Sequence, residues 1–132
     1  MNAAERLADK AVRPSMLRIA VLEYLMQTKA HPTIDEIYSA LHLRIPTLSK
    51  TSVYNITKLL TEKGLTKAIT IDEKQIRYDA DVSMHGHFLC ECCGSVSDFS
   101  LTGISAGALD GFSIRTKEVY YSGICKNCLK DE

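Results

Sequence analysis

Apolar residues recur along the first half of the chain at three- and four-residue spacing. Leu17, Val21, Tyr24 and Leu25 share one side of a helix over Arg18–Gln27. A second stripe follows Pro32: Ile34, Ile37, Tyr38 and Leu41. Thr33 precedes it as a cap and Glu36 stands three residues later, the pairing of a capping box. Pro46 breaks the chain before a third helix. Ser49 caps that helix, Val53, Ile56, Leu59 and Leu60 face inward, and Gly64 closes it in the C′ position. The pattern then changes. Leu65–Ile71 and Gln75–Asp79 read as two strands, joined by the polar turn Asp72-Glu73-Lys74.

Three helices followed by a hairpin is the order of a winged helix. Lys50, Thr51, Tyr54, Asn55 and Lys58 lie on the outward face of the third helix. Lysines there suit phosphates, and Asn and Tyr suit base edges in a major groove. A merely solvated face is the competing reading of the same residues. His42 falls on a polar helix position and reads as a surface residue.

Charge sharpens the picture once the chain is divided. The 132 residues carry 16 Lys/Arg and 16 Asp/Glu, a net charge of zero. Residues 1–80 hold 12 basic and 9 acidic side chains, a net +3, and residues 81–132 hold 4 and 7, a net −3. This asymmetry predicts two modules with different partners, a mildly basic 1–80 and an acidic 81–132. The basic excess is small, so the reading expects a homodimer, which doubles the phosphate contacts on a two-fold operator in double-stranded DNA.

The second module carries two C-x-x-C pairs, Cys90/Cys93 and Cys125/Cys128. Such pairs assemble a structural Zn²⁺ site from four thiolates at about 2.3 Å. A disulfide framework and a thioredoxin-like redox motif are the rivals. The polar start MNAAERLADK has no apolar leader, and no stretch approaches the ~18 apolar residues of a membrane span. A cytoplasmic location is therefore expected, where thiols stay reduced. A redox C-x-x-C would use one motif at a strand–helix junction instead of two. Cys92 lies inside the first pair and reads as a bystander.

A harder donor set surrounds the junction of the modules. His85 and His87 form H-x-H, and on a strand both imidazoles point to one side. Asp79 precedes them, Asp98 follows, and His31 lies between the first two predicted helices. Mixed nitrogen and oxygen donors suit Fe²⁺ or Mn²⁺, with Zn²⁺ also possible. Loop and turn roles for His31, Asp79 and Asp98 are the competing reading.

These segments together resemble the ferric uptake regulator family. The resemblance rests on V-R-P-S-M-L-R (Val12–Arg18), H-P-T-I-D-E-I-Y (His31–Tyr38), S-V-Y-N (Ser52–Asn55) and L-L-T-E-K-G-L (Leu59–Leu65). It continues through R-Y-D (Arg77–Asp79), H-G-H-F-L-C-E-C-C-G (His85–Gly94) and G-I-C-K-N-C (Gly123–Cys128). It implies an α+β chain: an N-terminal winged-helix DNA-binding domain followed by a small α/β zinc-bearing dimerisation domain. It also implies a homodimeric, metal-dependent repressor with structural Zn²⁺ and a regulatory metal at the hinge. Asp79 stands where iron-sensing members usually have glutamate, and His85-Gly86-His87 lacks an extra His and Asp. His31, Asp79, His85, His87 and Asp98 match the regulatory ligands of the peroxide-responsive branch one by one. Asn55, where many members have arginine, fits that branch too. The resemblance makes Tyr54 and Asn55 DNA-reading residues and Arg13 a phosphate or minor-groove contact. Ser15-Met16-Leu17 departs from the family's Thr-Pro-Gln.

The implied mechanism is peroxide sensing by metal-catalysed oxidation of a ligating histidine, His31 or His85. An iron-availability repressor, released from DNA by loss of metal, is the alternative. An enzyme is not expected. The chain has no H-E-x-x-H, and its H-x-H holds glycine where a zinc deaminase holds glutamate.

Overall fold

A computed structural model describes residues 1–72, 74–83, 85–102, 107–115 and 117–130. The chain divides into two compact units, Met1–Val82 and Ser83–Glu132. Glu73 of the expected turn and residues 131–132 lie outside the described residues. No helix among the described residues is long and apolar enough to cross a membrane.

The first unit opens with a helix the hydrophobic pattern did not reveal, α1 (Ala3–Asp9). It has only two buried anchors, Ala3 and Leu7, four residues apart. So thin a stripe gives almost no periodic signal. The Asn2 side chain caps it by accepting the Glu5 amide at 2.8 Å. Helix α2 (Met16–Gln27) starts two residues before the expected Arg18, because the Ser15 hydroxyl accepts the Arg18 amide at 3.2 Å. Helix α3 (Ile34–Leu41) carries the expected capping box: Thr33 and Glu36 each accept the other's amide at 3.2 Å. Helix α4 (Lys50–Glu62) is capped by Ser49 as expected.

One apolar cluster joins the four helices. It contains Leu7, Val21, Leu22, Leu25, Ile37, Leu41, Val53, Ile56 and Leu60. Each such side chain contributes about 1.5–3 kcal/mol by leaving water. Thr57 is also fully buried, and its hydroxyl donates to the Tyr54 carbonyl at 3.0 Å. His42 is half-buried, not a surface residue. Its ring stacks on Tyr38 at 4.7 Å and its Nδ1 lies 3.1 Å from the Tyr38 carbonyl.

Helix α4 ends in a Schellman turn. Gly64 takes φ +73°, its amide donates to Thr61 and the Leu65 amide donates to Leu60 at 2.9 Å. This explains why strand β1 (Lys67–Ile69) is shorter than the expected Leu65–Ile71: the Leu65 and Thr66 amides are already spent on the Leu60 carbonyl. Strand β2 is likewise confined to Arg77–Asp79. The two pair antiparallel, with Lys67 opposite Asp79 and Ile69 opposite Arg77.

The second unit is a three-stranded sheet in the order β4-β3-β5, with β3 (Gly86–Cys90), β4 (Val96–Phe99) and β5 (Val119–Gly123). Strand β4 runs antiparallel to β3, β5 runs parallel to it, and α5 (Lys126–Lys130) follows. Among its described residues only Cys90 and Val96 are buried apolar side chains, while Phe112, Ile114, Tyr121 and Leu129 are exposed. A sheet with so little core needs another source of stability.

Leu60 sits at 0% exposure in the centre of the helical core. Leu60→Ala is expected to destabilise the first unit by about 2–5 kcal/mol, read as a lower urea midpoint of its helical signal.

Candidate metal centres and nucleic-acid face

The four paired cysteines converge because of how β3 and β5 end. Strand β3 stops at Cys90, and Gly94 at φ +75° turns the chain back. The Gly94 amide donates to the Cys90 carbonyl and the Cys90 amide to the Ser95 carbonyl, both at 2.9 Å. Within this knuckle the Cys93 amide points at the Cys90 sulfur, 3.4 Å away. The parallel register sets Gly123 beside Cys90, so the chain leaving β5 delivers Cys125 to the same place. Its amide also points at the Cys90 sulfur, at 3.4 Å. The first turn of α5 then brings in Cys128. All four sulfurs lie within 4.8 Å of one another.

Cys93 Sγ and Cys125 Sγ are 4.0 Å apart. A disulfide needs about 2.05 Å, whereas a tetrahedron with ~2.3 Å metal–sulfur bonds has edges of about 3.8 Å. The cysteines are free thiols, and the spacing fits a metal instead of the disulfide rival. Cys92 is exposed and stands outside the cluster.

The thiols differ in acidity. The amides of Cys93 and Cys125 stabilise the Cys90 thiolate and lower its pKa to about 6. The Ser95 hydroxyl lowers Cys93, while the neighbouring Cys125 sulfur, followed by Cys93, raises Cys128. A cluster that ionises one thiol and suppresses another is crowded with negative charge, and a divalent cation relieves that crowding.

The nitrogen and oxygen donors form a group in each unit. In the second unit, His87 on β3 is directly opposite Asp98 on β4. His85 and His87 approach with their Nε2 atoms 3.0 Å apart, and Asp98 Oδ1 lies 3.4 Å from His85 Nε2 and 3.2 Å from His87 Nε2. These separations match the ~3.0–3.4 Å between adjacent donors around a cation with bonds of about 2.1 Å. His85 Nδ1 faces the Ser83 carbonyl at 2.8 Å, which orients its ring with Nε2 toward the group. Gly86 is required between the two histidines, because a Cβ there would meet the Phe99 ring at 2.1 Å.

In the first unit, His31 Nε2 and Asp79 Oδ2 lie 3.5 Å apart and both residues are buried. His31 holds a left-handed backbone, φ +52°, although it precedes proline, a setting that favours extended backbone. Two bonds from β2 hold the loop in place: the Tyr78 amide donates to the Pro32 carbonyl at 3.0 Å, and Arg77 Nη1 donates to the His31 carbonyl at 3.1 Å. Sequence reasoning passed over Arg77 and Gly86. Their signals were present in R-Y-D and in the glycine of H-G-H, but their partners are remote in sequence.

Lys50, Thr51, Tyr54, Asn55 and Lys58 are all exposed on α4, and Arg13 is exposed between α1 and α2. Lys50 is partly engaged: it lies 3.3 Å from Asp35 and 5.8 Å from the Tyr38 ring centroid.

A helical unit with a wing and an exposed polar helix face, joined to a sheet bearing clustered metal donors, defines a metal-regulated winged-helix regulator. The chain belongs to the ferric uptake regulator family, whose sequence model matches residues 9–122. It is similar to the peroxide operon regulator of Bacillus subtilis, 37% identical over 99% of this chain and 94% of that protein. The peroxide-responsive repressor PerR of Staphylococcus aureus is 32% identical over 92% of this chain and 86% of the relative. Among solved structures, PerR from Streptococcus pyogenes is 29% identical with a TM-score of 0.56, covering 96% of this chain and 90% of that one. The ferric uptake regulator from Francisella tularensis is 21% identical with a TM-score of 0.74, covering 89% and 94%, and shows the shared fold.

Cys90's depressed pKa favours the fold fully above its ordinary value of 9.0, and that contribution fades as pH falls through about 6. In reduced, metal-free protein a thiolate absorbance is expected to emerge near pH 6 and to be missing in Cys90→Ser.

Proposed function

We propose that this chain is a homodimeric, metal-dependent transcriptional repressor that binds operator DNA and is released by peroxide. The observation that carries the reading is the His85–His87–Asp98 group, whose donor atoms stand 3.0–3.4 Å apart. The family membership and the likeness to two peroxide regulators support it.

Cys90, Cys93, Cys125 and Cys128 would hold a structural Zn²⁺ that staples the second unit, which has little core of its own. His31 and Asp79 from the first unit and His85, His87 and Asp98 from the second would share one Fe²⁺ or Mn²⁺. Joining donors from two units couples metal affinity to DNA affinity, and the coupling is reciprocal. The α4 face, through Lys50, Thr51, Tyr54, Asn55 and Lys58, would read the major groove, with Arg13 on the backbone.

A bound Fe²⁺ would relay electrons from the imidazole to the peroxide O–O bond. The imidazole loses two electrons as a ring C–H becomes C=O and the proton moves to a ring nitrogen; one peroxide oxygen enters the ring and the other leaves as water. His31 and His85 are the residues proposed to take it. An oxygenated imidazole is a poorer donor, so the two units lose their shared ligand set and the DNA is released. The reaction consumes the sensor, so the protein is a regulator and not an enzyme. Its soluble partner makes a cytoplasmic location the fitting one.

Dilute hydrogen peroxide should release the Fe²⁺-loaded protein from DNA and add one oxygen atom to the His31 or His85 peptide by mass spectrometry. The Mn²⁺-loaded protein should stay bound and unmodified. Peroxide-resistant DNA binding with Fe²⁺, together with release on chelation, would instead identify an iron-availability repressor.

A further inference from the structure

The Arg77 side chain reaches the wing turn, the start of α3 and the His31 loop together. It is largely buried, with 13% of its side chain exposed. Its Nη1 donates to the His31 carbonyl at 3.1 Å and lies 3.6 Å from Glu36 Oε1. Its Nε lies 3.8 Å from Asp72 Oδ2, at the turn between β1 and β2. Glu36 is already committed: its Oε1 accepts the Thr33 amide in the capping box, two residues beyond His31. The guanidinium therefore grips the His31 loop at two points, one at His31 and one through the cap that follows. Its third arm goes to the wing.

The strain at His31 makes this grip consequential. A non-glycine residue at φ +52° before proline persists only where its surroundings hold it. The Tyr78–Pro32 hydrogen bond and the Arg77–His31 hydrogen bond, on adjacent residues of β2, help hold it. A planar guanidinium can serve three partners in one plane, which an ammonium cannot.

We propose that Arg77 is a positioning residue that sets the His31 imidazole for metal binding and transmits its placement to the wing through Asp72. The inference rests on the regulatory-metal reading above, and it adds a path from the ligand to the β1–β2 wing within the first unit.

The test uses full-length, zinc-replete protein and Co²⁺ as a spectroscopic stand-in for the regulatory ion. In wild type, Co²⁺ should give ligand-field bands whose intensity reports the donor set. Arg77→Gln should bind Co²⁺ at least about tenfold more weakly with altered bands, and Arg77→Lys should not restore them. Asp72→Asn cuts only the wing arm. It should keep the wild-type bands while reducing, by about threefold or more, the gain in DNA affinity that Mn²⁺ produces. Native bands and native Co²⁺ affinity in Arg77→Gln would overturn the positioning role. An unchanged Mn²⁺-dependent gain in Asp72→Asn would overturn the path to the wing. A wild-type protein that takes up no Co²⁺ beyond its zinc would overturn the regulatory-metal reading itself.

Discussion

Crowding of electron-pair donors is the constraint on which this structure depends. Four sulfurs lie within 4.8 Å of one another, and two imidazole Nε2 atoms stand 3.0 Å apart beside a carboxylate. Without a cation such crowding opposes ionising all the sulfurs together: Cys128 is driven up by its sulfur neighbours, while the Cys93 and Cys125 amides drive Cys90 down. With a cation the same crowding becomes coordination. The β3–β5 register and the β3–β4 register place these donors, so the sheet of the second unit serves mainly to set lone pairs at ligand distances.

The two units solve the stability problem differently. The first buries a cluster from four helices, and its helices end in side-chain caps and a Schellman turn. The second buries little and exposes Phe112, Ile114, Tyr121 and Leu129. A zinc staple and a second copy of the chain are the stabilising elements that suit it, and both follow from the proposed function. This division lets a metal change DNA binding without having to unfold the reader.

Much of this was legible in the sequence where a local rule applied. The capping box at Thr33 and Glu36 and the glycine stop at Gly64 are short-range devices, and the structure shows each. The α4 outward face follows from helical spacing alone. Helix α1 was not legible, because two apolar residues make no stripe. The strand lengths were not, because the Leu65 and Thr66 amides turn back to Leu60, a competition that composition does not reveal. At the sites, paired spacing singled out the cysteines and H-x-H, whose donor atoms lie close together, but His42's stacking on Tyr38 and Arg77's three partners depend on packing. The requirement for Gly86 became visible only once Phe99 was placed over it.

In the proposed function one ion draws donors from both units. Pulsed electron paramagnetic resonance of the Mn²⁺-loaded protein, with its histidines labelled with nitrogen-15, counts the imidazoles bound to the ion and tests this most directly. Three coordinated histidines are expected in the wild type and two in His31→Ala, with His85 and His87 remaining. Two in the wild type and an unchanged spectrum in His31→Ala would show that the ion belongs to the second unit alone and is not shared.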